Sequence, residues 1–599
     1  MKLKDILTPF TAWKNLVKEP ITIKDPINDR PGAPRYRGFH KNDITKCIGC
    51  GSCEDICPNN AIDLVPVEGI ETKDGDSGLR PKIDYGRCCW CGLCVDVCTT
   101  GSLSLSNEYK WIEEGNADAY RFIPGVDKKP WDENELGWKK PTPNYEFYDL
   151  KRVEMKELEP EKRDDSFIEI VQGFSKEQAQ LEADRCVECG ICVATCPAHM
   201  GIPAYIKAIR DDNLEHGLEV LYDTNPLPEI CGRICTHKCE SVCSLGHRGD
   251  PLSIRWLKRY IADQNPSENY KKILETENLE KNGKKVAIIG SGPSGLSAAY
   301  YLALLGYEVK IFELYPEAGG MMRYGIPEYR LPYDQIDKDI NYILSLGVEI
   351  QYNTKVGVDV SLDELKENYD AVFAGTGLHL GRSTRIPGSD HENVYQAIDL
   401  LSKITKGEEI NVAEKIVVIG GGNVAMDITR SLARLQKQKY GKVQITTTSL
   451  ETEDILPADV EEVVEAREEN AIINPGWGPK SVEIVDGKIK GLNVVRCLSV
   501  FDEEHRFNPK FDENDKNFFE GDMIVESIGQ GMDISYISED IKSSLEFGPR
   551  GRIVVDKNFQ TKAKWLFVGG DIIQGPDVIH GIANGHKAAL GIDRYLHVK

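Results

Sequence analysis

The stretch KKVAIIGSGPSGLSAAYYLALLGYEVKIFE, residues 284–313, decides the fold of the larger part of this 599-residue chain. An apolar run leads to Gly290, Gly292 and Gly295, and a helical pattern then leads to a second apolar run that ends before Glu313. A strand, a glycine turn, a helix and a second strand in this order form a βαβ unit. The stretch therefore predicts an α/β fold built on a doubly wound sheet.

The glycines of this turn predict a nucleotide site. Gly290 makes the turn, Gly292 lets the backbone approach a pyrophosphate, and Gly295 allows close packing of helix and strand. The free N–H groups at the start of the helix attract the phosphates. Glu313 stands where an acid binds the adenosine ribose hydroxyls.

A second glycine turn occurs in KIVVIGGGNVAMDITR, residues 415–430. Gly420, Gly422 and Ala425 follow the G-x-G-x-x-A form, and Asn423 in the same motif is a further candidate for cofactor binding. This pattern opens a nicotinamide nucleotide domain. We therefore expect NAD(H) or NADP(H) to bind here.

The end of the next strand predicts which nicotinamide nucleotide binds. A 2′-phosphate needs arginines at this place. The sequence QITTTSLE, residues 444–451, contains no arginine and ends in an acid. We therefore favour NADH over NADPH; in the alternative, Arg430 supplies the missing positive charge.

The cysteines predict metal sites. Of the 18 cysteines, 17 lie before residue 244, and they occur in four compact runs. The N-terminal residues show no secretory signal, so we expect a cytoplasmic chain whose thiols stay reduced. The groups are therefore interpreted as metal ligands and not as disulfides.

Two of these runs, CIGCGSCEDICP and CCWCGLCVDVC, share the spacing C-x2-C-x2-C-x3-C. The short gaps bring three thiolates to one cubane, and the fourth cysteine reaches the other cubane. Paired zinc ribbons, the alternative, use two C-x2-C knuckles instead. Cys89 is interpreted as a small buried side chain outside both sites. We assign Cys47, Cys50, Cys53 and Cys98 to one 4Fe–4S cluster and Cys88, Cys91, Cys94 and Cys57 to the second.

These two runs resemble the bacterial two-cluster ferredoxins, and PRYRGFH, residues 34–40, is similar to the ferredoxin-like subunit of respiratory complex I. The later runs, CVECGICVATCP and CGRICTHKCESVC, resemble the helical domain of the glutamate synthase small (beta) subunit, which dihydropyrimidine dehydrogenase shares. That resemblance covers residues 166–595 and implies two further 4Fe–4S clusters. It assigns Cys186, Cys189, Cys192 and Cys243 to one of them and Cys196, Cys235 and Cys239 to the other.

At the position of the last cluster's fourth ligand, this sequence differs from the family. Relatives often supply Glu or Gln from a downstream helix, and the corresponding residue in SIRWLKRYIAD is Lys258. A protonated lysine cannot bind iron. Cys231 is our substitute ligand; the alternative is that Cys231 is only a packed thiol.

The same resemblance assigns the flavin. EAGGMMRYGIPEYRLP, residues 317–332, is similar to the flavin-proximal loop and contains Gly320. TKAKWLFVGGD looks like the second FAD motif, in which Gly570 precedes Asp571 and Asp571 contacts the ribityl chain. The first glycine turn is therefore interpreted as an FAD site, with a NAD-only site as the alternative. The resemblance also implies that the nicotinamide domain is inserted in the FAD domain.

The predicted architecture has a ferredoxin-like N-terminal domain, a helical iron–sulfur domain and two doubly wound dinucleotide-binding domains. A linker joins the two iron–sulfur domains. The predicted boundaries are 1–107 for the ferredoxin domain, 108–165 for the linker, 166–280 for the helical domain, 281–400 with 526–599 for FAD, and 401–525 for NAD(P).

These parts predict an electron-transfer flavoprotein subunit that connects NAD(P)H, FAD and about four 4Fe–4S clusters with a partner redox enzyme. The alternatives are a stand-alone NAD(P)H:ferredoxin oxidoreductase, a glutamate synthase small subunit, or a non-catalytic wiring subunit. Hydride transfer to a flavin depends on orientation, so we assign no catalytic acid or base. The net charge of −23 argues against nucleic acid as a partner. The uncharged stretch 286–307 contains a glycine turn, so we predict no membrane span.

Overall fold

The computed structural model describes residues 13, 32–70, 72, 76–133, 137–139, 151–247, 249–573 and 577–597. It consists of two compact units. The smaller unit comprises Met1–Arg152, Val187–Ile191 and Ser241–Leu252, and the larger unit comprises Val153–Cys186, Cys192–Glu240 and Ser253–Lys599. The predicted helical domain, 166–280, is therefore divided between them.

The smaller unit has five short strands and two short helices in its described part. The strands are β1 (His40–Asn42), β2 (Ile62–Pro66), β3 (Leu79–Asp84), β4 (Leu103–Leu105) and β5 (Arg121–Phe122), and the helices are α1 (Ser52–Asp55) and α2 (Leu93–Asp96). Strand β1 pairs antiparallel with β4, and β3 lies between β2 and β5 in an antiparallel sheet. Each helix follows a left-handed glycine, Gly51 or Gly92, inside a cysteine run.

An aromatic core holds this unit together. Phe39 stacks on Trp131 with ring centroids 4.4 Å apart, and Trp111 meets Trp131 edge to face at 5.1 Å. Residues 108–133, which the sequence assigned to a linker, thus supply strand β5 and part of this core. Their tryptophans bury large apolar surfaces, so the segment packs instead of lying on the surface. Residues 140–150 of the predicted linker lie outside the described residues.

The larger unit contains the remaining strands. They are β6 (Lys285–Ile289), β7 (Glu308–Phe312), β8 (Glu349–Gln351), β9 (Ala371–Ala374), β10 (Leu380–Gly381), β11 (Val394–Gln396), β12 (Ile416–Ile419), β13 (Ile445–Thr448), β14 (Ile472–Ile473), β15 (Trp477–Val485), β16 (Lys488–Phe501), β17 (Phe507–Glu520), β18 (Met523–Glu526), β19 (Gln530–Gly531) and β20 (Leu566–Val568).

The helices outside the smaller unit complete the fold. They are α3 (Pro160–Arg163), α4 (Lys176–Asp184), α5 (Ile191–Thr195), α6 (Ile202–Arg210), α7 (Leu214–Thr224), α8 (Pro228–Ile234), α9 (Lys238–Ser241), α10 (Ile254–Gln264), α11 (Tyr270–Ile273), α12 (Pro293–Leu304), α13 (Met321–Tyr324), α14 (Tyr333–Ser345), α15 (Leu362–Asn368), α16 (Ala397–Thr405), α17 (Asn423–Tyr440), α18 (Val460–Glu468), α19 (Glu539–Ser543) and α20 (Val578–His597). Helices α5 and α9 each include one residue of the smaller unit. None of the helices in the described ranges combines the length and apolar character needed to cross a bilayer.

Two five-stranded parallel sheets dominate the larger unit. Their strand orders are β20-β9-β6-β7-β8 and β11-β18-β12-β13-β14. The inner strands β9 and β12 are buried at every residue, as expected for parallel strands that are covered on both faces. The second sheet lies in the chain between β9 and β20 of the first. The predicted α/β class, with one doubly wound domain inserted in another, is confirmed.

The second sheet begins earlier in the chain than the sequence predicted. Strand β11, residues 394–396, pairs with β18, whereas the predicted boundary was residue 401. An antiparallel sheet, β15-β16-β17, lies in the chain between β14 and β18 of the second sheet. Strand β10 pairs with β19 where the chain enters and leaves the inserted domain. Two short connections therefore join the two dinucleotide-type folds.

The helical part of the larger unit is closely packed at one crossing. A side chain at Gly232 in α8 would place its Cβ 2.8 Å from the Cα of Arg259 in α10. Only glycine permits this approach. The crossing places the neighbouring residues Cys231 and Lys258 at the same buried interface, where their side chains are 0% and 4% exposed.

Candidate functional site

The three glycines of the first turn have different surroundings. A Cβ at Gly290, where φ is +92°, would lie 2.9 Å from the carbonyl oxygen of Gly375, and a Cβ at Gly295 would lie 2.0 Å from that of Gly290. Among the described residues, and apart from its own chain neighbours, no atom lies within 4 Å of the Cβ position of Gly292. Packing therefore requires two of these glycines, and the third leaves room for a ligand beside the start of α12.

A cavity of about 330 Å³ opens in front of this turn. A Cβ at Gly320 would lie 2.8 Å from the Cα of Gly292, so the flavin-proximal loop touches the turn itself. The structure thus brings most of the sequence-predicted FAD residues to one cavity. Its lining includes Gly290, Gly292, Glu313, Gly320, Gly570 and Asp571.

Glu313 is fixed beside the turn. Its carboxylate accepts hydrogen bonds from the backbone N–H of Ser291 at 2.8 Å, the Ser291 hydroxyl at 2.5 Å and the N–H of Tyr315 at 2.9 Å. An ionised carboxylate has about four acceptor positions, so Glu313 can also accept from a ribose hydroxyl.

Asp571 lines the same cavity and follows strand β20. The pKa of Asp571 is raised to about 6, chiefly by burial and also by the nearby Asp577, while Arg552 and His580 oppose the shift. The N–H of Gly570 donates to the side-chain oxygen of Asn584 at 3.2 Å. The carboxyl of Asp571 is therefore held at the cavity in a poorly solvated position.

The second turn follows the same plan. A Cβ at Gly420 would lie 2.3 Å from the carbonyl oxygen of Ser527. The Cβ position of Gly422 has no atom of the described part of the chain within 4 Å, apart from its chain neighbours. Ala425 is fully buried. The amide of Asn423 donates to Asp459 at 2.9 Å and accepts from the Asp459 backbone N–H at 2.8 Å. Asn423 therefore ties the start of α17 to the start of α18 and also lines the cavity.

The end of β13, where the sequence predicts the choice of nucleotide, lies against this turn. A Cβ at Gly421 would lie 2.9 Å from the Cβ of Ser449. Arg430, the alternative source of charge, is fully buried and pairs with three carboxylates, those of Glu462, Glu465 and Glu469. Its charge is already compensated, so the structure does not favour Arg430 as a phosphate ligand.

The ferredoxin cysteines form two groups in the smaller unit. Burial raises the pKa of Cys53 well above its ordinary value, and the nearby thiolates of Cys50, Cys47 and Cys98 raise it further. Burial also raises the pKa of Cys88 to about 11, and Cys57 and Cys91 contribute to that shift. Cys94 lies beside Cys88, Cys91 and Cys57. Each group therefore brings together three cysteines from one run and one from the other.

The surroundings of these sulfurs suit iron-bound thiolates. The sulfur of Cys57 accepts from the N–H of Ala61 at 3.2 Å, and that of Cys98 accepts from Leu103 at 3.4 Å. The cysteines of the second group line a small cavity of about 20 Å³. They are Cys57, Cys88, Cys91 and Cys94. Backbone N–H···S hydrogen bonds stabilise charged sulfur, so the residues present fit a cluster.

Cys89 does not have the predicted environment, because it is exposed and not buried. The next residue, Trp90, has a left-handed φ of +52°, and its N–H donates to the Cys88 sulfur at 3.4 Å. This turn directs Cys88 inward and leaves Cys89 at the surface.

A third group of cysteines surrounds a lysine in the larger unit. Burial alone would lower the pKa of Lys258, yet the adjacent thiolates raise it overall; they are those of Cys235, Cys231, Cys239 and Cys196. Tyr205 is buried beside Cys239 and Cys196. The structure therefore brings Cys231 to the same site as the other three cysteines.

The remaining predicted set is divided between the units. Cys189 and Cys243 belong to the smaller unit, and Cys186 and Cys192 belong to the larger one. The sulfur of Cys189 lies 3.5 Å from the hydroxyl of Ser244. Among the described residues, no three His, Cys, Asp or Glu side chains converge on a single metal ion. A cubane spreads its thiolates around four irons, so its ligands lie farther apart than those of one ion.

Three families match the chain in the order of these sites. Residues 46–102 match the 4Fe-4S dicluster domain, residues 163–270 match dihydropyrimidine dehydrogenase domain II with its 4Fe-4S cluster, and residues 284–588 match pyridine nucleotide-disulphide oxidoreductase. The last match covers more than half of the 599 residues. The chain belongs to the pyridine nucleotide-disulphide oxidoreductase family.

Curated relatives of this oxidoreductase share most of its length. The NADP(+)-dependent formate dehydrogenase subunit beta of Moorella thermoacetica is 38% identical over 68% of this chain and 60% of its own. The glutamate synthase (NADPH) small chain of Escherichia coli (strain K12) is 33% identical over 76% of this chain and 99% of its own. The protein AegA of the same organism is 31% identical over 92% of this chain and 86% of its own. The predicted fusion of a ferredoxin region with a glutamate synthase small subunit-like oxidoreductase is confirmed.

The sequence did not predict one ion pair at the cavity of this oxidoreductase. Arg330, from the flavin-proximal loop, and Asp427, from α17, both line the cavity and form an ion pair. Both residues stand inside motifs quoted for their glycines. The signal was an arginine and an acid in two facing motifs, but their pairing depends on the tertiary fold.

Proposed function

We propose that this oxidoreductase exchanges a hydride with NADH and passes single electrons through FAD and about four 4Fe–4S clusters to or from a partner redox enzyme. The observation that carries this proposal is the shared cavity. The open glycine Gly292 and the helix α17 face the same space, so two nucleotides can meet there.

FAD would lie along the first turn. Gly290, Gly292 and Gly295 shape the pyrophosphate position, and Glu313 accepts from the ribose. Gly320, Gly570 and Asp571 line the side where the ribityl chain and ring would enter. When bound, the flavin supplies the conversion between a two-electron hydride and single electrons.

The clusters would be held by the cysteine groups. We assign the two ferredoxin-type sets, the set Cys196, Cys235, Cys239 and Cys231, and the set Cys186, Cys189, Cys192 and Cys243. The proposed order of electron transfer is NADH, FAD, the helical-domain clusters, the ferredoxin-domain clusters and then the partner. The flow can run in either direction, because cluster potentials span roughly −700 to +450 mV.

The nicotinamide nucleotide would bind at the second turn, within the predicted domain of residues 401–525. Gly420, Gly422 and Ala425 shape the pyrophosphate position there, and Asn423 lies at its edge. Several relatives carry NADP or NADPH in their names. This chain nevertheless has Ser449 and Glu451 beside the turn, and an acid there repels a 2′-phosphate. We therefore propose NADH as the favoured nucleotide.

A larger complex is the favoured setting, in the cytoplasm. The formate dehydrogenase and glutamate synthase relatives are named as subunits or chains of larger enzymes. The first of these extends beyond the part that this chain matches. The nearly full coverage of the glutamate synthase small chain favours a second candidate, a glutamate synthase small subunit.

Anaerobic purification with its partners tests the proposal. We expect a yellow protein with about sixteen irons, whose flavin is bleached faster by NADH than by NADPH. The purified chain alone should reduce a viologen dye, and mass spectrometry should find a copurifying redox subunit. A protein without flavin, or with NADPH as the faster reductant, would contradict the cofactor or the nucleotide assignment. Full activity with ferredoxin and no copurifying subunit would support the stand-alone enzyme instead.

A further inference from the structure

A buried histidine in the smaller unit contacts one of the proposed cluster ligands. His40, on strand β1, is 2% exposed. Its Nε2 lies 3.3 Å from the sulfur of Cys94, and its Nδ1 lies 3.0 Å from the hydroxyl oxygen of Tyr85. The indole N–H of Trp131 donates to the carbonyl of His40 at 3.2 Å. Backbone and side chain are therefore both fixed.

The hydrogen-bond pattern decides which ring nitrogen carries the proton. The hydroxyl oxygen of Tyr85 already accepts the backbone N–H of His40 at 3.0 Å, and its own hydrogen can be donated to Nδ1. An iron-bound thiolate has no proton to donate, so a bare Nε2 would face the lone pairs of Cys94. Both contacts are satisfied only when Nε2 carries the hydrogen and donates it to the sulfur.

We propose that His40 is a positioning residue that donates an N–H···S hydrogen bond to Cys94 and raises the reduction potential of one ferredoxin-type cluster. That cluster is the one held by Cys57, Cys88, Cys91 and Cys94. The inference rests on the proposed function, because it requires that these cysteines bind a cluster.

The effect on the potential follows from charge. Reduction adds an electron to the cluster, and much of this charge appears on the sulfurs. A fixed donor stabilises the reduced form more than the oxidised form, and hydrogen bonds to sulfur are a known determinant of cluster potential. In the other group, the sulfurs of Cys50 and Cys98 each lie 3.4 Å from a hydroxyl, that of Ser52 and that of Ser102. The imidazole therefore makes the two clusters unequal.

Two substitutions separate the hydrogen bond from packing. His40→Leu removes the donor, and His40→Gln keeps an N–H donor at a similar reach. We expect an EPR-monitored redox titration of the full chain to show that H40L lowers the reduced-to-oxidised ratio of one cluster about tenfold at a fixed potential. The midpoint potential of that cluster would then be about 59 mV more negative. H40Q should restore most of this shift. His216→Leu, which removes a 54% exposed imidazole from α7 of the larger unit, is the matched control and should leave both midpoint potentials unchanged.

A measurement on the unmutated protein keeps the test independent of folding. Histidine labelled with ¹⁵N should produce a hyperfine coupling in pulsed EPR of the reduced cluster. No such coupling, or equal midpoint potentials in the native chain and H40L at full iron content, would overturn the role of His40. A native chain without the expected iron would instead overturn the proposed function, so the two failures are distinguishable.

Discussion

Arg330 and Asp427 form a two-oxygen ion pair at the cavity: Nη1 of Arg330 lies 2.8 Å from each carboxylate oxygen. Arg330 belongs to the flavin-proximal loop and Asp427 to the second turn of α17, which starts the nicotinamide-type fold. Nε of Arg330 also lies 2.8 Å from Glu462 in α18. The pair therefore joins the two dinucleotide-type folds at the position where their ligands would meet.

Replacing Arg330 by methionine should destabilise the enzyme strongly. The carboxylate of Asp427 is only 4% exposed, so R330M leaves it buried and unpaired. Breaking a buried pair in this way costs about 3–5 kcal/mol of unfolding free energy. Urea denaturation followed by circular dichroism measures the change.

The control is Lys480→Met, which removes an exposed partner of Glu513; the two side chains are 54% and 59% exposed. Surface pairs contribute at most about 1 kcal/mol. Equal unfolding midpoints for R330M and K480M would show that the cavity pair is not a stabilising contact.

Two glycine substitutions should impair different properties, FAD binding in one case and the stability of the fold in the other. Gly292 has φ −72° and an open Cβ position, so G292A should fold normally but obstruct the pyrophosphate and weaken FAD binding at least about tenfold, or about 1.4 kcal/mol. G295A would place a methyl group 2.0 Å from a carbonyl oxygen and should destabilise the fold by about 1–3 kcal/mol. Flavin titration and thermal melting measure the two effects. A G292A variant with native FAD affinity would contradict the flavin position.

The sequence was informative where chemistry depends on local spacing. The glycines of both turns and the crossed cysteine groups of the ferredoxin-type part follow from short intervals along the chain, and the structure places them in the expected surroundings. Such motifs need only a strand, a turn and a helix in the right order.

Features that depend on distant packing were not predicted. Arg330 and Asp427 are 97 residues apart in the chain, and no local pattern joins them. The segment 108–133 was assigned to a linker because its prolines and charged residues are typical of one. Its tryptophans nevertheless enter the core. Cys89 looked buried because its type usually is, but the turn at Trp90 exposes it.

The stability of the flavin-free enzyme should depend on pH through Asp571. Its pKa rises from 3.8 in the unfolded chain to about 6 in the folded one, so the folded state binds more protons between these values. Stability therefore falls as pH rises from about 4 to about 6. Asp571→Asn cannot titrate, so its advantage over the native chain should grow by about 1 kcal/mol between pH 5 and pH 7. Melting curves of both proteins at each pH test this, and a constant difference would contradict it.

The nucleotide preference should respond to the charge at Glu451. Glu451→Arg replaces the repelling acid by a donor for a 2′-phosphate, so the ratio of kcat/KM for NADPH to that for NADH should rise at least about tenfold, or about 1.4 kcal/mol. Glu451→Gln removes only the repulsion and should produce a smaller change. Steady-state kinetics with both nucleotides measure the ratios. A native enzyme that already prefers NADPH, or an E451R variant with an unchanged ratio, would contradict the assignment.

The last prediction concerns Cys231 and Lys258, which share the α8–α10 crossing. If Cys231 is the fourth ligand beside Cys196, Cys235 and Cys239, Cys231→Ala should lose about four irons per chain.

The matched control is Cys89→Ala, which removes an exposed cysteine from the ferredoxin-type part and should keep all irons. Iron analysis and EPR of the reduced protein measure both variants. A C231A variant with full iron content would make Cys231 a packed thiol. The cluster would then have three cysteine ligands next to an ammonium group, because no carboxylate or amide stands at position 258. Its fourth iron would lack a ligand from these residues, and that iron should be lost first on mild oxidation.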